Sequence, residues 1–412
     1  MKKAIFYSSL GGVLEFYDFI IFAIFASAIS SNFFPKSSHT AGILLTFTVF
    51  AAGYLIRPIG GLIYGHFGDI YGRKKTFTYS IILMALSTLL IAFIPTYQHI
   101  GILAPILLTI LRLIQGASIG GEIPGAITLI SESSVKNKTL GCSILFFSLI
   151  FGIILGELVH KLLLSLMTQQ NVMDYGWRYA FIIGGILGLW GFVLRRKLSE
   201  TPLFKILGTI KHKIPFASLL KKHTKEIFIG WRLMGVISAG IMCQFLIMPA
   251  YAKFIDMPLT DVFLINTLIL FTVTLTSILF GYIGDRVSKK TLILIGLVIA
   301  VIFSYTIFEM LISSNVSLIF YTLYSILTFG IAVAIIPSIL AELFPTELRY
   351  TGVAIVYNLS FATTGGLAPI IIFFFITEKN FLMVPAIYFI VSSLIALFSL
   401  LISKKSKNYL EN

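Results

Sequence analysis

An all-α membrane protein with twelve transmembrane helices in two six-helix bundles is the fold this sequence predicts, on three observations. The 412 residues are 58% hydrophobic and only 12% charged, with a mean hydropathy of +0.98. A water-soluble domain is roughly 45–50% apolar and about 25% charged, so the surplus apolar surface has to face lipid. Apolar runs of about twenty residues, the length that crosses the hydrocarbon core as a helix, recur along the whole chain. A polar loop pattern in the first half returns 216 residues later in the second.

The runs fall at 6–31, 42–66, 75–95, 101–132, 140–164, 178–195, 227–252, 261–283, 290–311, 317–342, 352–376 and 381–403. None alternates with period two, which excludes a spanning β-barrel. The first run follows Met1-Lys2-Lys3 but is interrupted by Glu15 and Asp18, and no small-residue cleavage pattern follows, so it is expected to be a retained helix. The second carries Arg57-Pro58, the fourth Arg112 and Glu122, and the fifth packs through Gly152 and Gly156. The longest polar stretch, 196–226, is basic and holds Pro202 and Pro215. It divides the chain into a bundle over 1–195, a cytoplasmic linker, a second bundle over 227–403 and a short tail, 404–412.

The formal charge of +14 reports topology. With the N-terminus on the cytoplasmic side, the inner segments hold 23 of the 31 Lys and Arg residues, Arg195, Arg196 and Lys197 among them. The outer segments hold only Lys36, Lys161, Arg178, Lys253 and Lys379, and Arg57, Arg112 and Arg232 lie within spans. This bias puts both termini in the cytoplasm of a plasma (inner) membrane, and nucleic acid is not an expected partner. Cys142 and Cys243 stand apart with no metal-ligand spacing, so no disulfide framework or metal site is expected. No phosphate-binding Gly-rich loop and no nucleophile constellation occurs, so neither a cofactor nor an enzymatic activity is expected.

The repeated loop reads Gly65-His66-Phe67-Gly68-Asp69-Ile70-Tyr71-Gly72-Arg73-Lys74-Lys75 after the second span and Gly281-Tyr282-Ile283-Gly284-Asp285-Arg286 through Lys289-Lys290 after the eighth. Glycines let helix ends approach, an Asp can cap a neighbouring helix, and the cations can pair with acids. This pattern resembles the loop signature of the major facilitator superfamily, and Arg112-Leu113-Ile114-Gln115-Gly116 resembles its fourth-helix motif. Further segments resemble the metabolite:proton symporter family, which includes proline/betaine, α-ketoglutarate, citrate and shikimate porters. They are Leu14-Glu15-Phe16-Tyr17-Asp18-Phe19, Arg57-Pro58-Ile59-Gly60-Gly61, Gly120-Gly121-Glu122, Gly176-Trp177-Arg178, Glu200-Thr201-Pro202-Leu203-Phe204 and Ala341-Glu342 through Gly352, with Tyr357-Asn358. Departures are Ile123-Pro124 after the Gly-Gly-Glu, Ser288 in place of a second loop glycine, and a tail too short for the coiled coil of osmosensing betaine porters.

The resemblance implies a secondary transporter importing a small organic solute, a carboxylate or a zwitterion, with protons, by alternating access and as a monomer. An exporter of the same superfamily is the alternative, disfavoured because the fifth span lacks a Gly-Pro pair. Charges inside the membrane need a partner, a water-filled cavity or a role. Glu15 and Asp18 share a face of the first helix; Arg112, Gln115 and Glu122 share a stripe of the fourth, Arg112 and Glu122 being about 15 Å apart along its axis. The resemblance brings the two stripes together, so Asp18, Glu122 and Glu15 are candidate proton carriers, with Arg112 pairing to the carboxylate until proton or substrate competes. Candidate substrate ligands are Tyr17, Gln115, Gln244, Asn266, Tyr357 and Asn358. Arg57, Gly65, Asp69, Gly72, Arg73, Glu132, Asp285, Arg286, Glu342 and Arg349 are candidates for a gate of ion pairs between helix ends.

Overall fold

The computed structural model describes residues 2–35, 39–133, 136–207, 215–255, 259–313 and 317–402; part of the linker (208–214) and the 404–412 tail lie outside them. The described residues contain helices and no strand. In chain order the α-helices of six residues or more are α1 (Lys2–Ile24), α2 (Ala26–Phe33), α3 (His39–Leu55), α4 (Arg57–Tyr71), α5 (Arg73–Phe93), α6 (Leu103–Ser133), α7 (Lys138–Leu166), α8 (Trp177–Arg195), α9 (Pro202–Leu207), α10 (Pro215–Lys222) and α11 (Thr224–Ile241). There follow α12 (Leu259–Gly284), α13 (Lys289–Ile312), α14 (Leu318–Ser325), α15 (Ile331–Leu343), α16 (Arg349–Ser360), α17 (Ala368–Lys379) and α18 (Val384–Ile402).

Eleven helices among the described residues are long and apolar enough to cross a membrane without help. The twelfth span, the second in chain order, is split into α3 and α4. Pro58 is the reason: it has no N–H to give the Tyr54 carbonyl, and its ring crowds the preceding turn. The chain nevertheless stays helical through the break, with Ile56 N donating to Ala52 O at 3.2 Å and Gly60 N to Ile56 O at 3.0 Å. The sixth span begins earlier than expected, at Gln169. Its polar first turn is built by Thr168, which accepts from Asn171 N (3.3 Å), and by Gln170 donating to Asp174 (3.0 Å). Four spans carry a π-turn, at Val172–Gly176, Met242–Leu246, Ile326–Gly330 and Phe361–Gly365, a local widening that re-aims side chains and gathers at functional positions.

The chain forms two compact units, Met1–Ser133 with Ser148–Phe216, and Ser134–Phe147 with Ala217–Asn412. In the first unit α5 packs on α8 and α6, and α4 on α6. There a Cβ on Gly116 would strike the carbonyl of Gly53, and one on Gly120 the carbonyl of Arg57. Backbone therefore lies on backbone, which only small residues allow. A core that includes Phe22, Phe33, Trp177 and Phe181, all essentially inaccessible, fills one end of this unit. In the second unit α13 packs on α18, α11 on α16 and α18, and α12 on α15. The first ten residues of α7 group with this second unit although the sequence places them in the first half.

Candidate functional site

Buried polar groups in the first unit assemble into three clusters. In the first, Asp18 of α1 meets Arg112 of α6 (Nη1 to Oδ2, 3.4 Å). Gln115, one turn on, accepts from Arg112 Nη1 (2.9 Å) and donates from Nε2 to Asp18 Oδ1 (3.0 Å) and to Thr88 Oγ1 (2.8 Å). Thr88 of α5 lies with its hydroxyl 2.7 Å from Asp18 Oδ1. The Arg112 guanidinium sits over the Phe22 ring at 4.0 Å and near Phe50 at 5.5 Å, and its Nε has no hydrogen-bond partner. Neither Asp18 (2% exposed) nor Arg112 (5%) reaches open solvent. The spacing of Arg112 and Gln115 places both on one helix face, so a single carboxylate draws three donors from two other helices.

Glu122 does not join that cluster. It forms a two-pronged ion pair with Arg195 at the end of α8, Arg195 Nη1 reaching Oε2 at 3.0 Å, and Ser80 of α5 donates to Oε2 at 2.7 Å. Arg195 also donates to Phe77 O (3.0 Å) and Tyr7 O (3.3 Å), and its guanidinium stacks on the Phe77 ring at 3.7 Å. This corrects the place of Arg195: it is not part of the solvated inner segment but 1% exposed, and its charge is spent on Glu122. Four helices meet at this pair.

Glu15 and Arg57 join neither of these clusters. Both Glu15 carboxylate oxygens are buried without a hydrogen-bond partner among the described residues, as is Arg57 Nε. The Arg57 guanidinium lies 4.0 Å over the Tyr54 ring. Tyr17 is absorbed by the core instead: its hydroxyl donates to Ala180 O at 2.8 Å.

The third cluster lies at the loop motif. Arg73 pairs with Asp69 (3.2 Å) and Glu132 (3.1 Å) and donates to Gly68 O (2.8 Å), all fully buried. The linker closes it: Thr201 donates to Glu132 Oε2 at 2.6 Å, Phe204 lies under the Arg73 guanidinium at 4.7 Å, and Glu200 accepts from Lys74 N at 3.2 Å at the start of α5. Gly72 turns the chain at φ +116°, a conformation that a side chain resists, and a Cβ there would also meet Glu200 Oε2. Gly65 is buried in α4.

The second unit is built differently. Asp285 accepts from the backbone N–H of Thr139 and Leu140, each at 2.9 Å, so a carboxylate caps the first turn of α7, the favourable end of the helix dipole. Glu342 takes Lys289 (2.7 Å) and Lys138 (3.4 Å). Arg286 has no acid within ion-pair distance among the described residues. It donates to Tyr282 O (2.9 Å) and stacks on the Tyr282 ring (3.4 Å), which corrects its expected ion pair. Arg349 donates to Ala341 O at 2.7 Å. Gln244, in a π-turn, donates to Thr328 Oγ1 (3.3 Å), itself in another, while its Oε1 is buried without a donor. Asn266 donates to Phe245 O (2.8 Å), Tyr357 packs on Phe361 (4.8 Å between ring centroids), and Asn358 donates to Ala354 O (2.8 Å).

Residues 9–369 match the sequence pattern described as the Major Facilitator Superfamily. The chain belongs to the Major Facilitator Superfamily. A relative named proline/betaine transporter, from Escherichia coli (strain K12), is 30% identical over 426 residues, covering 99% of this chain and 84% of that one. A relative from Staphylococcus aureus (strain COL), 32% identical over 403 residues (96% and 86%), carries the same description provisionally. Among solved structures, the proton:xylose symporter XylE bound to 6-bromo-6-deoxy-D-glucose superposes with a TM-score of 0.74 at 17% identity, covering 98% of this chain and 95% of that one. This facilitator is therefore a multi-pass membrane transporter and not an enzyme.

Sequence reasoning missed Thr88, Ser80, Arg195, Glu200 and Thr201 as parts of this transporter's polar clusters. The signal for the first two was present: Ser80 and Thr88 are hydroxyls eight residues apart in an apolar run, hence on one helix face. Arg195 continues the buried stripe of Gly184, Gly188 and Gly191 on α8 but is hidden in a run of three cations. Arg178, counted as an outer charge, donates to Ala92 O and to Ile94 O (2.9 Å) and closes the C-terminal end of α5.

Proposed function

We propose that this chain is a proton-coupled symporter that imports a small zwitterionic solute by alternating access, with Asp18 carrying the proton. The observation that carries the reading is the charge ledger of the first unit. Asp18 is paired to Arg112 and Glu122 to Arg195, while among the described residues the buried Glu15 carboxylate has no hydrogen-bond partner and neither has Arg57 Nε. An unpaired carboxylate shut away from water is costly, so Glu15 calls for a cation and Arg57 for an anion. A zwitterion supplies both. The names of the E. coli and S. aureus relatives, proline and betaine being zwitterions, agree.

Coupling follows from the Asp18 cluster. A proton on Asp18 cancels its attraction for Arg112 and leaves that cation available to the solute carboxylate beside Arg57; Glu15 takes the solute's cationic end. Proton and solute then raise each other's affinity, which is the thermodynamic requirement for symport. Gln115 and Thr88 exchange donor and acceptor roles as the proton arrives. The Glu122–Arg195 pair, fully satisfied, is assigned a structural role, as is the Arg73–Asp69–Glu132 knot. Gating is assigned to Asp285 and to Glu342 with its two lysines. Those side chains retain partial exposure (10–26% for Lys138, Lys289 and Glu342), and pairs that keep some water break at modest cost. The Lys and Arg bias supports termini on the cytoplasmic side of a bacterial inner membrane.

The test is uptake into proteoliposomes under an imposed pH gradient, acid outside, with labelled proline, betaine, α-ketoglutarate and shikimate. Gradient-dependent accumulation of the zwitterions, lost in Glu15→Gln, is the expected result. Uptake that ignores the gradient, or accumulation of the dicarboxylate in place of the zwitterions, overturns the proposal.

A further inference from the structure

Arg232 is the one membrane-embedded arginine of the sequence that the clusters above do not use. It lies eight residues into α11, half-buried, with no carboxylate within 4.0 Å among the described residues. Its Nη1 donates to Ser399 Oγ of α18 at 3.1 Å, and the Phe228 ring stands 5.8 Å from its guanidinium. Ser399 is three residues from the end of α18, about 4.5 Å along the axis at 1.5 Å per residue. The cation therefore lies within about one turn of the end of α18, the part of a spanning helix that meets lipid headgroups.

Two cavities open against Arg232. One, of about 240 Å³, is walled by Trp231, Gly235, Thr363, Tyr388 and Val391. The other, of about 460 Å³, is walled by Leu394, Ile395, Leu397, Phe398 and Leu401. Of these, Val391, Leu394, Ile395, Phe398 and Leu401 are 44–63% exposed, a strip of apolar side chains suited to lipid. Trp231 is anchored by its indole N–H to Thr363 Oγ1 (3.0 Å), as an interfacial tryptophan is held at headgroup level. An unpaired cation at the end of a greasy groove is costly if hydrocarbon alone meets it, and basic pockets between transmembrane helices select lipid headgroups.

We propose that the groove between α11 and α18 holds one anionic phospholipid, its phosphate on Arg232 and an acyl chain along Leu394, Ile395, Phe398 and Leu401. Charge complementarity chooses the occupant. A peptide would need its backbone groups satisfied along Leu394, Ile395, Leu397, Phe398 and Leu401, a wall to which Arg232 alone brings a polar side chain, and a free anion would gain nothing from the apolar strip. The lipid adds to the packing of α11 on α18 that the protein already makes.

The experiment is native mass spectrometry of the full chain, delipidated in detergent and given equal amounts of phosphatidylglycerol and phosphatidylcholine with matched chains. Wild type is expected to take its first lipid as phosphatidylglycerol with about fivefold preference, the factor one arginine confers on an anionic headgroup. Arg232→Ala is expected to lose that preference. Ile395→Trp keeps the charge but fills the groove, and is expected to weaken phosphatidylglycerol binding without touching the arginine; it carries the test alone should Arg232→Ala not fold. Glycerophosphate, a headgroup without chains, is expected not to displace the lipid. An unchanged preference in the folded variants, equal binding of phosphatidylcholine by wild type, or displacement by glycerophosphate would overturn the proposal.

Discussion

The Glu122–Arg195 pair makes a demanding prediction, because removing both partners should cost less than removing one. Arg195→Met deletes a two-pronged pair and leaves Glu122, 1% exposed, with only the Ser80 hydroxyl as donor. The hydrogen bonds that Arg195 gives to Phe77 O and Tyr7 O matter less, since both carbonyls lie within helices. Stranding one member of a buried pair costs roughly 3–5 kcal/mol. For a body of roughly 200 residues at about 2–4 °C per kcal/mol, that is a loss of roughly 6–20 °C in midpoint. Adding Glu122→Gln removes the stranded charge and keeps a group for Ser80, so the double variant is expected to recover to within about 1–2 kcal/mol of the wild type. The assay is the surviving monodisperse fraction on size exclusion after a fixed heating step in detergent, which reads irreversible loss directly. A double variant no more stable than Arg195→Met alone refutes the reasoning, for Glu122 would then not depend on Arg195.

Three smaller predictions accompany it. Gly72→Ala forces a Cβ onto a backbone at φ +116° and against Glu200. A loss of about 1–2 kcal/mol is expected in the same heating assay, whereas a neutral effect would mean that the turn relaxes. Asp285→Ala removes both side-chain acceptors at the start of α7; faster amide exchange is expected in a peptide covering 138–147 and not in one covering 148–166, and uniform exchange would contradict the cap. Thr201→Val breaks the 2.6 Å bond to Glu132 and should cost about 1–2 kcal/mol while loosening the linker to limited proteolysis. Unchanged cleavage would show that Thr201 does not hold it.

The span count was legible because the length of an apolar run is set by bilayer thickness alone. The internal repeat was legible because Gly and Asp recur in register. Boundaries were less so: Gln169–Asp174 reads as a loop by polarity, yet it is a solvated helical turn on a lipid-facing helix. The Asp18–Arg112–Gln115 cluster followed from helical phase plus the family resemblance, since one sequence cannot say which helices face each other. Glu122 went to Arg195 rather than to Arg112 because reach across helices, not spacing along one, decides a pair. Arg195 was invisible because it is the first of three consecutive cations and only helical phase turns it inward. Glu200 and Thr201 stand in a polar stretch in which nothing marks the residues that dock from those that are solvated.

The central claim, that Asp18 carries the proton, is tested most directly by substrate-driven alkalinisation of the outside medium of proteoliposomes bearing Asp18→Asn. Asparagine stands in for the protonated acid and leaves Arg112 free for the solute. The account predicts that solute-driven proton movement vanishes while exchange of labelled for unlabelled solute across the membrane persists. Proton movement intact in Asp18→Asn would contradict it.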